Sequence, residues 1–418
     1  MRLDLTEDQQ AFQEAVNRFI ATEVPLLTVR DLYENRLGFE PEWWQQAAQL
    51  GWTSLFVPEA YGGGSLSGSQ TCDAVILAEE IGRGLAPGPF CPVNLVAAGV
   101  GASSNAAQHA ELLGRLVSGE VIAVWAFAEK AGRWTTDAVQ ATLTPVGPAQ
   151  GGLATQSAQG GHQNGGSFVL NGTKHYVEAA NAASQALVTA RAENGGLSQV
   201  MVALDSPGVS VKGGRSVDMT RRFGTISFTD VAVDASALVG TAGDATEAVN
   251  RQLQLAVSLQ CAEMVGIADR TLEFTLEYGQ DRYAFGRPIV SFQALKHRIA
   301  DMAQWLEACK AVSDELASVL DAQTQDASNV SSPEAQRLAH VAKSYVGEKT
   351  TRIVEDCVQI TGGIGVTWEH DIHMYNRRVV LDRALYGSPE EHKDELYMLF
   401  DSTVENIENI TVGTVGAA

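Results

Sequence analysis

At 418 residues the chain is too long for a single hydrophobic core and long enough for two or three domains of ordinary size. Its 29 Lys and Arg against 50 Asp and Glu leave a formal net charge of −21, which excludes a nucleic-acid partner, because that affinity rests on cations neutralising phosphates. With 45% hydrophobic residues, no apolar run of signal-peptide length in Met1 to Gln9 and no segment of roughly 20 apolar residues, a cytoplasmic globular protein is expected, neither exported nor inserted in a membrane.

Residues 1–120 read as helices joined by short loops. Thr6 can cap a helix through Phe12, Val16 and Ile20, where apolar residues recur at helical spacing. Trp43, Trp44, Ala47 and Leu50, and later Ala74 to Leu77, continue that pattern across a break at Val57-Pro58-Glu59-Ala60-Tyr61-Gly62-Gly63-Gly64. Residues 121–239 switch to short β-branched runs punctuated by Gly, Asn and Asp. Within Phe168 to Val177, Asn171-Gly172 lies between two apolar runs and predicts a hairpin turn, since both residues tolerate positive φ. Ala186 to Ala190, Gln199 to Leu204 and Thr225 to Phe228 read as further strands, and Gly147 to Gly166, rich in Gly, Gln, Ala and Ser, as a surface loop. Residues 240–418 return to helices over Ala245 to Tyr278, Ser291 to Leu320 and Pro333 to Ile360, with a polar break from Ala322 to Ser332.

Cys72, Cys91, Cys261, Cys309 and Cys357 are scattered, without a CxxC pair or a zinc-like His spacing, and read as reduced core residues with no metal. Two other stretches carry chemistry. Arg282-Tyr283-Ala284-Phe285-Gly286-Arg287-Pro288-Ile289 is followed by Ser291-Phe292-Gln293-Ala294-Leu295-Lys296-His297, and further on comes Gln359-Ile360-Thr361-Gly362-Gly363-Ile364-Gly365. An Arg guanidinium offers fixed, permanently charged donors to a diphosphate. Gly362 and Gly363 let backbone N–H groups approach a phosphate or carbonyl that a Cβ would push away.

In this order the two blocks resemble the flavin-binding signatures of the acyl-CoA dehydrogenase family, and the break at residues 57–64 with Glu79-Glu80-Ile81-Gly82 resembles the family's start. The resemblance covers Leu5 to about Phe400. It implies an α+β chain with an N-terminal helical domain (1–120), a central β-barrel-like domain (121–239) and a C-terminal four-helix bundle (240–418). It also implies FAD, an acyl-CoA substrate desaturated between Cα and Cβ, and electron-transfer flavoprotein or a similar acceptor. A CoA thioester would need a local basic pocket in so acidic a chain. In this family the adenosine diphosphate end of the flavin is held by the neighbouring subunit. Arg282, Phe285, Gln293, Gln359, Gly362 and Gly363 match that donated half.

The half that cradles the chain's own flavin ring departs from the family. Ala126 to Trp134 stands where the family has Thr-Glu-Pro-x-Ala-Gly-Ser-Asp, so a hydroxyl is missing at Ala128. Tyr176 and Glu178 stand where it has the Trp and the hydroxyl of Trp-Ile-Thr or Trp-Ile-Ser. Glu178 reads as a solvated strand-end residue, because a carboxylate beside the ring would oppose the negative charge of reduction.

The catalytic glutamate is missing from both family positions. One falls on Tyr386, followed by Gly387 and Ser388, and tyrosine, with a pKa near ~10, is a poor base for a Cα proton. The other, before Arg282, falls on Ala256, with Val257 where a supporting Arg is often found. Glu247 and Glu263 lie ~10 Å away along the helix axis on either side. Trp368-Glu369-His370-Asp371-Ile372-His373 is a tempting cluster in which His370 and His373 could share a helix face; a structural or interface role is expected for it, and a packing role for His297.

The whole resembles the Glu-less subunit of the paired dehydrogenases of actinobacterial sterol side-chain degradation, which form α2β2 heterotetramers with a Glu-bearing chain. Two alternatives stay open: a homomeric acyl-CoA dehydrogenase with an unrecognised base, and another flavin reaction on the same fold, such as desulfination or monooxygenation.

Overall fold

The structure is a computed structural model that describes residues 5–146, 167–324 and 332–400. The loop expected over Gly147 to Gly166 and most of the polar break after Ala322 lie outside the described residues. Helices come first: α1 (Glu7–Glu23), α2 (Leu26–Asp31), α3 (Pro41–Gln49), α4 (Gln70–Gly84), α5 (Phe90–Gly101) and α6 (Ala110–Val117). Thr6 caps α1 as expected, its hydroxyl accepting from the Gln9 N–H while the Gln9 side chain accepts from the Thr6 N–H.

A run of strands follows: β1 (Ala123–Ala126), β2 (Thr142–Val146), β3 (Ser167–Glu178), β4 (Gln185–Ala192), β5 (Leu197–Ala203), β6 (Val209–Arg215), β7 (Arg222–Asp234) and β8 (Leu238–Val239). They form one mixed sheet in the order β6-β7-β3-β2-β4-β5-β8, with β1 parallel to β4. Leu143, Leu170, Val188, Val200, Ile226 and Phe228 carry its apolar core. In β7 burial alternates over Arg222 to Phe228, the period-2 signature of a strand with one covered face.

The Asn171-Gly172 hairpin is corrected. Both residues lie inside the continuous strand β3, where the register against β7 slips between Leu170 and Gly172. Asn171 exchanges hydrogen bonds with Asp230 across the bulge, accepting from its N–H at 2.8 Å. A Cβ at Gly172, whose φ is 142°, would stand 2.5 Å from that of Ala141 beside β2, so the glycine is required by the close approach of that segment and by the bulge, not by a turn.

The chain then returns to helices: α7 (Thr246–Asp281), the two-stranded hairpin β9 (Tyr283–Ala284) and β10 (Arg287–Pro288), α8 (Gln293–Thr324), α9 (Pro333–Thr361) and α10 (Ile372–Ala384); residues 389–400 are also helical. By contacts the chain groups into two units, one of Met1–Leu27, Thr71–Ala86 and Gln254–Ala418, the other of Thr28–Gln70 and Pro87–Leu253. In the first unit α4 and α7 touch backbone to backbone. A Cβ on Gly82 would stand 2.1 Å from the Glu263 carbonyl oxygen, and one on Gly266 would stand 1.9 Å from that of Glu79. The reciprocal pairing of 82 with 263 and 79 with 266 means that the two helices run antiparallel where they cross. No helix among the described residues is long and apolar enough to cross a membrane.

Candidate functional site

In the first unit, Arg282 closes α7 and opens the β9–β10 hairpin, with its carbonyl accepting from the Ile289 N–H at 2.8 Å. The two turn residues, Phe285 and Gly286, both have positive φ, 50° and 79°, which is what a two-residue hairpin loop matching the strand twist demands. A bulky residue is strained there, and the strain buys display: Phe285 is 97% exposed. Beneath the loop, Phe292 meets Phe285 edge-on at 6.3 Å and carries the Arg287 guanidinium on its face at 3.9 Å. The Arg282 side chain is exposed and has no ion-pair partner among the described residues.

The second block lies at the C-terminal end of α9. Arg298 of α8 pairs with Asp356 of α9, and Met302 meets Cys357, sulfur to sulfur at 3.9 Å, so the start of α8 packs against the end of α9. Gln293 and Gln359 are thereby brought to the same end of the helix pair, both exposed. Gly362 terminates α9 at φ 69°, and a Cβ on either Gly362 or Gly363 would meet nothing within 4 Å. Open space at Gly362-Gly363 with no side chain over the main chain, and an uncommitted guanidinium, fit the diphosphate end of FAD, although the Gly362 N–H itself donates to the Val358 carbonyl.

The ring-side residues lie in the second unit. The Ala128 carbonyl accepts from the His175 N–H at 2.8 Å, which joins the 126–134 segment to β3. Lys174, fully buried, reinforces the joint by donating to the Phe127 carbonyl and to Glu129 Oε1, both at 2.9 Å, while Glu129 also accepts from the Gln140 and Ala141 N–H groups. Burial lowers the Lys174 ammonium to about 8, with Glu129 acting to raise it. Tyr176 follows at φ 56° in a second slip of the β3 register and is about half exposed. The structure thus brings Ala128 and Tyr176 onto adjoining segments, and no hydroxyl stands at Ala128.

Glu178 corrects the sequence reading, since it is buried, not solvated, with Oε1 3.4 Å from Arg221 Nε. The pair is close to neutral, so the carboxylate's opposition to charge nearby is largely cancelled. Neither Arg221 nor the Lys174–Glu129 pair was singled out from the sequence. Lys174 stood in a quoted motif, but nothing local marked it as buried.

Neither of the two positions that the resemblance assigns to the base carries a carboxylate. Ala256 is buried in α7, and Tyr386 follows α10, buried at φ 58°. Glu263, two turns beyond Ala256, has Oε1 2.7 Å from the buried Arg378 guanidinium. Under Tyr386, His392 Nε2 bonds the Tyr386 carbonyl at 2.9 Å and its Nδ1 meets His340 Nδ1 at 2.9 Å. Burial pushes His340 down to about 4 and, foremost among the causes, His392 down to about 3; Lys343 also disfavours protonation of His392. Both imidazoles are therefore neutral in the folded protein at neutral pH. Below about pH 6.5 the unfolded chain takes up protons that the folded one refuses, so the contribution of these two imidazoles to stability is constant above that pH and is lost as pH drops toward 4. Thermal midpoints across that window are expected to decline in wild type and to decline less in His340→Gln.

Other readings change in place. His370 precedes α10, its Nδ1 accepting from the Ile372 N–H, and His373 stacks on Trp368 at 5.3 Å, so the two do not share a helix face. No group of three or more His, Cys, Asp or Glu among the described residues could hold a metal. His297 is exposed and does not pack in the core. A cavity of about 1020 Å³ in the second unit is lined by Arg36, Arg115, Arg215 and Arg222. Arg222 donates to the Leu32, Tyr33 and Asn35 carbonyls, Arg215 meets Glu34 at 2.6 Å and Arg115 meets Glu120 at 2.9 Å. Three of its four cations are thus already engaged within the chain.

Comparison with known proteins identifies the family. The acyl-CoA dehydrogenase N-terminal domain matches residues 6–120 and the acyl-CoA dehydrogenase C-terminal domain residues 246–398. Acyl-CoA dehydrogenase IpdE2 of Mycolicibacterium smegmatis is 26% identical over 390 residues, 93% of this chain and 97% of that one. Among solved structures, a Tcur3481–Tcur3483 steroid ACAD superposes with a TM-score of 0.78 at 24% identity, over 96% of this chain and 99% of that one. A glutaryl-CoA dehydrogenase from Mycobacterium smegmatis in complex with FADH2 does so at 0.78 and 20%, over 94% of each chain. With both terminal domains matched, the chain belongs to the acyl-CoA dehydrogenase family.

Proposed function

We propose that this protein works in the FAD-dependent α,β-desaturation of an acyl-CoA as the subunit without the catalytic glutamate, paired in an α2β2 assembly with a Glu-bearing subunit. The observation that carries this reading is the contrast between a displayed cofactor-donating half and two base positions occupied by Ala256 and Tyr386, with Glu263 committed to Arg378. Arg282 would pair with the FAD diphosphate, the Gly362-Gly363 main chain would approach it, and Phe285, Gln293 and Gln359 would complete the contact. Ala128, Tyr176 and the Glu178–Arg221 pair would stand on the ring side. When bound, FAD supplies the acceptor for the hydride leaving Cβ, and the partner's carboxylate takes the Cα proton. Electron-transfer flavoprotein or a similar carrier would then reoxidise the assembly. A steroid side-chain or branched acyl group is the substrate that the sequence resemblance implies, and a steroid ACAD is among the solved structures similar to this chain.

Tyr386→Phe tests the assignment. If the chain holds no base of its own, turnover of the assembled complex stays within about twofold, because the hydroxyl moves no proton. A loss of ~10² or more, with FAD content and assembly intact, would mark Tyr386 as the base of a self-sufficient enzyme. Steady-state kinetics with a dye acceptor and a steroid or branched acyl-CoA decides between them.

A further inference from the structure

The cavity of about 1020 Å³ in the second unit inverts the charge of the chain that surrounds it. Over the whole sequence Asp and Glu outnumber Lys and Arg by 50 to 29, yet the cavity sets the guanidiniums of Arg36, Arg115, Arg215 and Arg222 against only Glu34 and Asp205. Two of those cations are placed where charge repels most. Arg215 of β6 and Arg222 of β7 are register partners, so their side chains leave one face of the sheet from Cβ atoms about 5 Å apart, and like charges directly opposite destabilise a sheet.

The bonds these arginines make within the chain do not use up their charge. Arg222 is 3% exposed and donates to the Leu32, Tyr33, Asn35, Met219 and Arg221 carbonyls, and to no carboxylate. Carbonyls satisfy its hydrogens but leave the charge itself, against which burial works first and Arg215 as well, with Asp218 opposing. The Arg215–Glu34 and Arg115–Glu120 pairs are open to solvent, with side chains 58% and 72% exposed in one and 41% and 61% in the other. Such pairs contribute little and rearrange readily. Arg36 is exposed and has no ion-pair partner among the described residues.

The rest of the lining speaks for the body that carries the anion. No aromatic side chain is among it, so a nucleotide base would have nothing to stack on. The side chains of Ser184 and Gln185 make no hydrogen bond among the described residues, and Asp205 is exposed without an ion pair there. A hydroxyl, an amide and a carboxylate of this kind are partners for alcohol groups. The volume is at the upper end of small-molecule sites, about 300–1,000 Å³, and far beyond what one phosphate fills.

We propose that this cavity binds a polyhydroxylated small molecule bearing two phosphate groups, of the sugar bisphosphate class. Arg36, Arg115 and Arg215 would hold the phosphates beside the fixed charge of Arg222, and Ser184, Gln185 and Asp205 would meet the hydroxyls. Guanidiniums suit this task because their planar fork donates two parallel hydrogen bonds to one phosphate. The site draws only on the second unit's own residues and does not depend on the reading given under Proposed function.

The test is calorimetric titration of the purified complex, with excess FAD in both solutions so that the cofactor's own diphosphate contacts are filled. Fructose 1,6-bisphosphate should bind saturably, one per chain, and more weakly as salt rises. Fructose should not bind, and orthophosphate should bind at least about tenfold more weakly than the bisphosphate. Arg36→Gln with Arg115→Gln should weaken the bisphosphate about 10- to 100-fold, with an unchanged thermal midpoint and FAD content. Arg36→Gln alone, which breaks no ion pair, should weaken it as well and serves if the double variant does not assemble. Absence of saturable binding overturns the proposal, as does an affinity unaltered in these variants. Orthophosphate binding as tightly as the bisphosphate would reduce the cavity to a general anion trap, and displacement of the bisphosphate by octanoyl-CoA would make it a surrogate for the phosphates of CoA; either result overturns the class assigned.

Discussion

Arg378→Met is expected to destabilise the protein by about 3–5 kcal/mol. The Arg378 guanidinium is among the largest fully buried side chains and lies 2.7 Å from Glu263, which is buried as well. Taking both charges out of water is repaid by their proximity, so the pair itself contributes little net stability. Removing one partner is different, because the remaining buried carboxylate loses the guanidinium that offsets its burial. The double variant Glu263→Met with Arg378→Met should therefore recover most of the loss, and chemical denaturation of the four members of the cycle measures the coupling. If Arg378→Met alone costs less than about 1 kcal/mol, the pair is hydrated or dispensable and the account is wrong.

Arg282→Ala should weaken FAD binding by the assembled protein about 10- to 100-fold, equivalent to roughly 1.5–3 kcal/mol for a charge-assisted bond to a phosphate. The side chain leaves the end of α7 with its backbone pinned through the Ile289 N–H and with no ion pair among the described residues to compete for it. Arg282→Lys keeps the charge but loses the planar fork, so an intermediate loss is expected. Flavin-to-protein ratio and FAD titration check both variants. An unchanged affinity in Arg282→Ala would remove this residue from the cofactor's contacts and leave the Gly362-Gly363 main chain as the main support.

The features legible in the sequence were those encoded by neighbours along the chain. The Thr6 cap, the helical stretches that became α7, α8 and α9, and the strands around Ala186, Gln199 and Thr225 follow from spacing and capping chemistry over a few residues. The Arg282 and Gly362 blocks stand out in the sequence because the role proposed for them depends on residue types that few other roles demand. Partners from distant segments were not legible. Asn171-Gly172 carries every local mark of a turn, but Asp230 and Ala141, which make it a bulge, lie far away in sequence. Glu178 was read as solvated because nothing beside it announces Arg221, and Lys174 meets Glu129 across 45 residues.

The crossing of α4 and α7 has a consequence for how this chain can change over generations. Gly82 and Gly266 each bring a neighbouring main-chain oxygen to where a side chain would stand, at the cost of about 1 kcal/mol of helix propensity apiece. A contact made of main-chain atoms is indifferent to the identity of the side chains around it. Neighbouring positions can therefore drift without moving the two helices apart, whereas neither glycine can be exchanged and then rescued by a smaller residue opposite, because nothing smaller exists. Such a joint holds a geometry constant while the text written on it is rewritten, a property suited to a chain only 26% identical to IpdE2 over nearly its whole length.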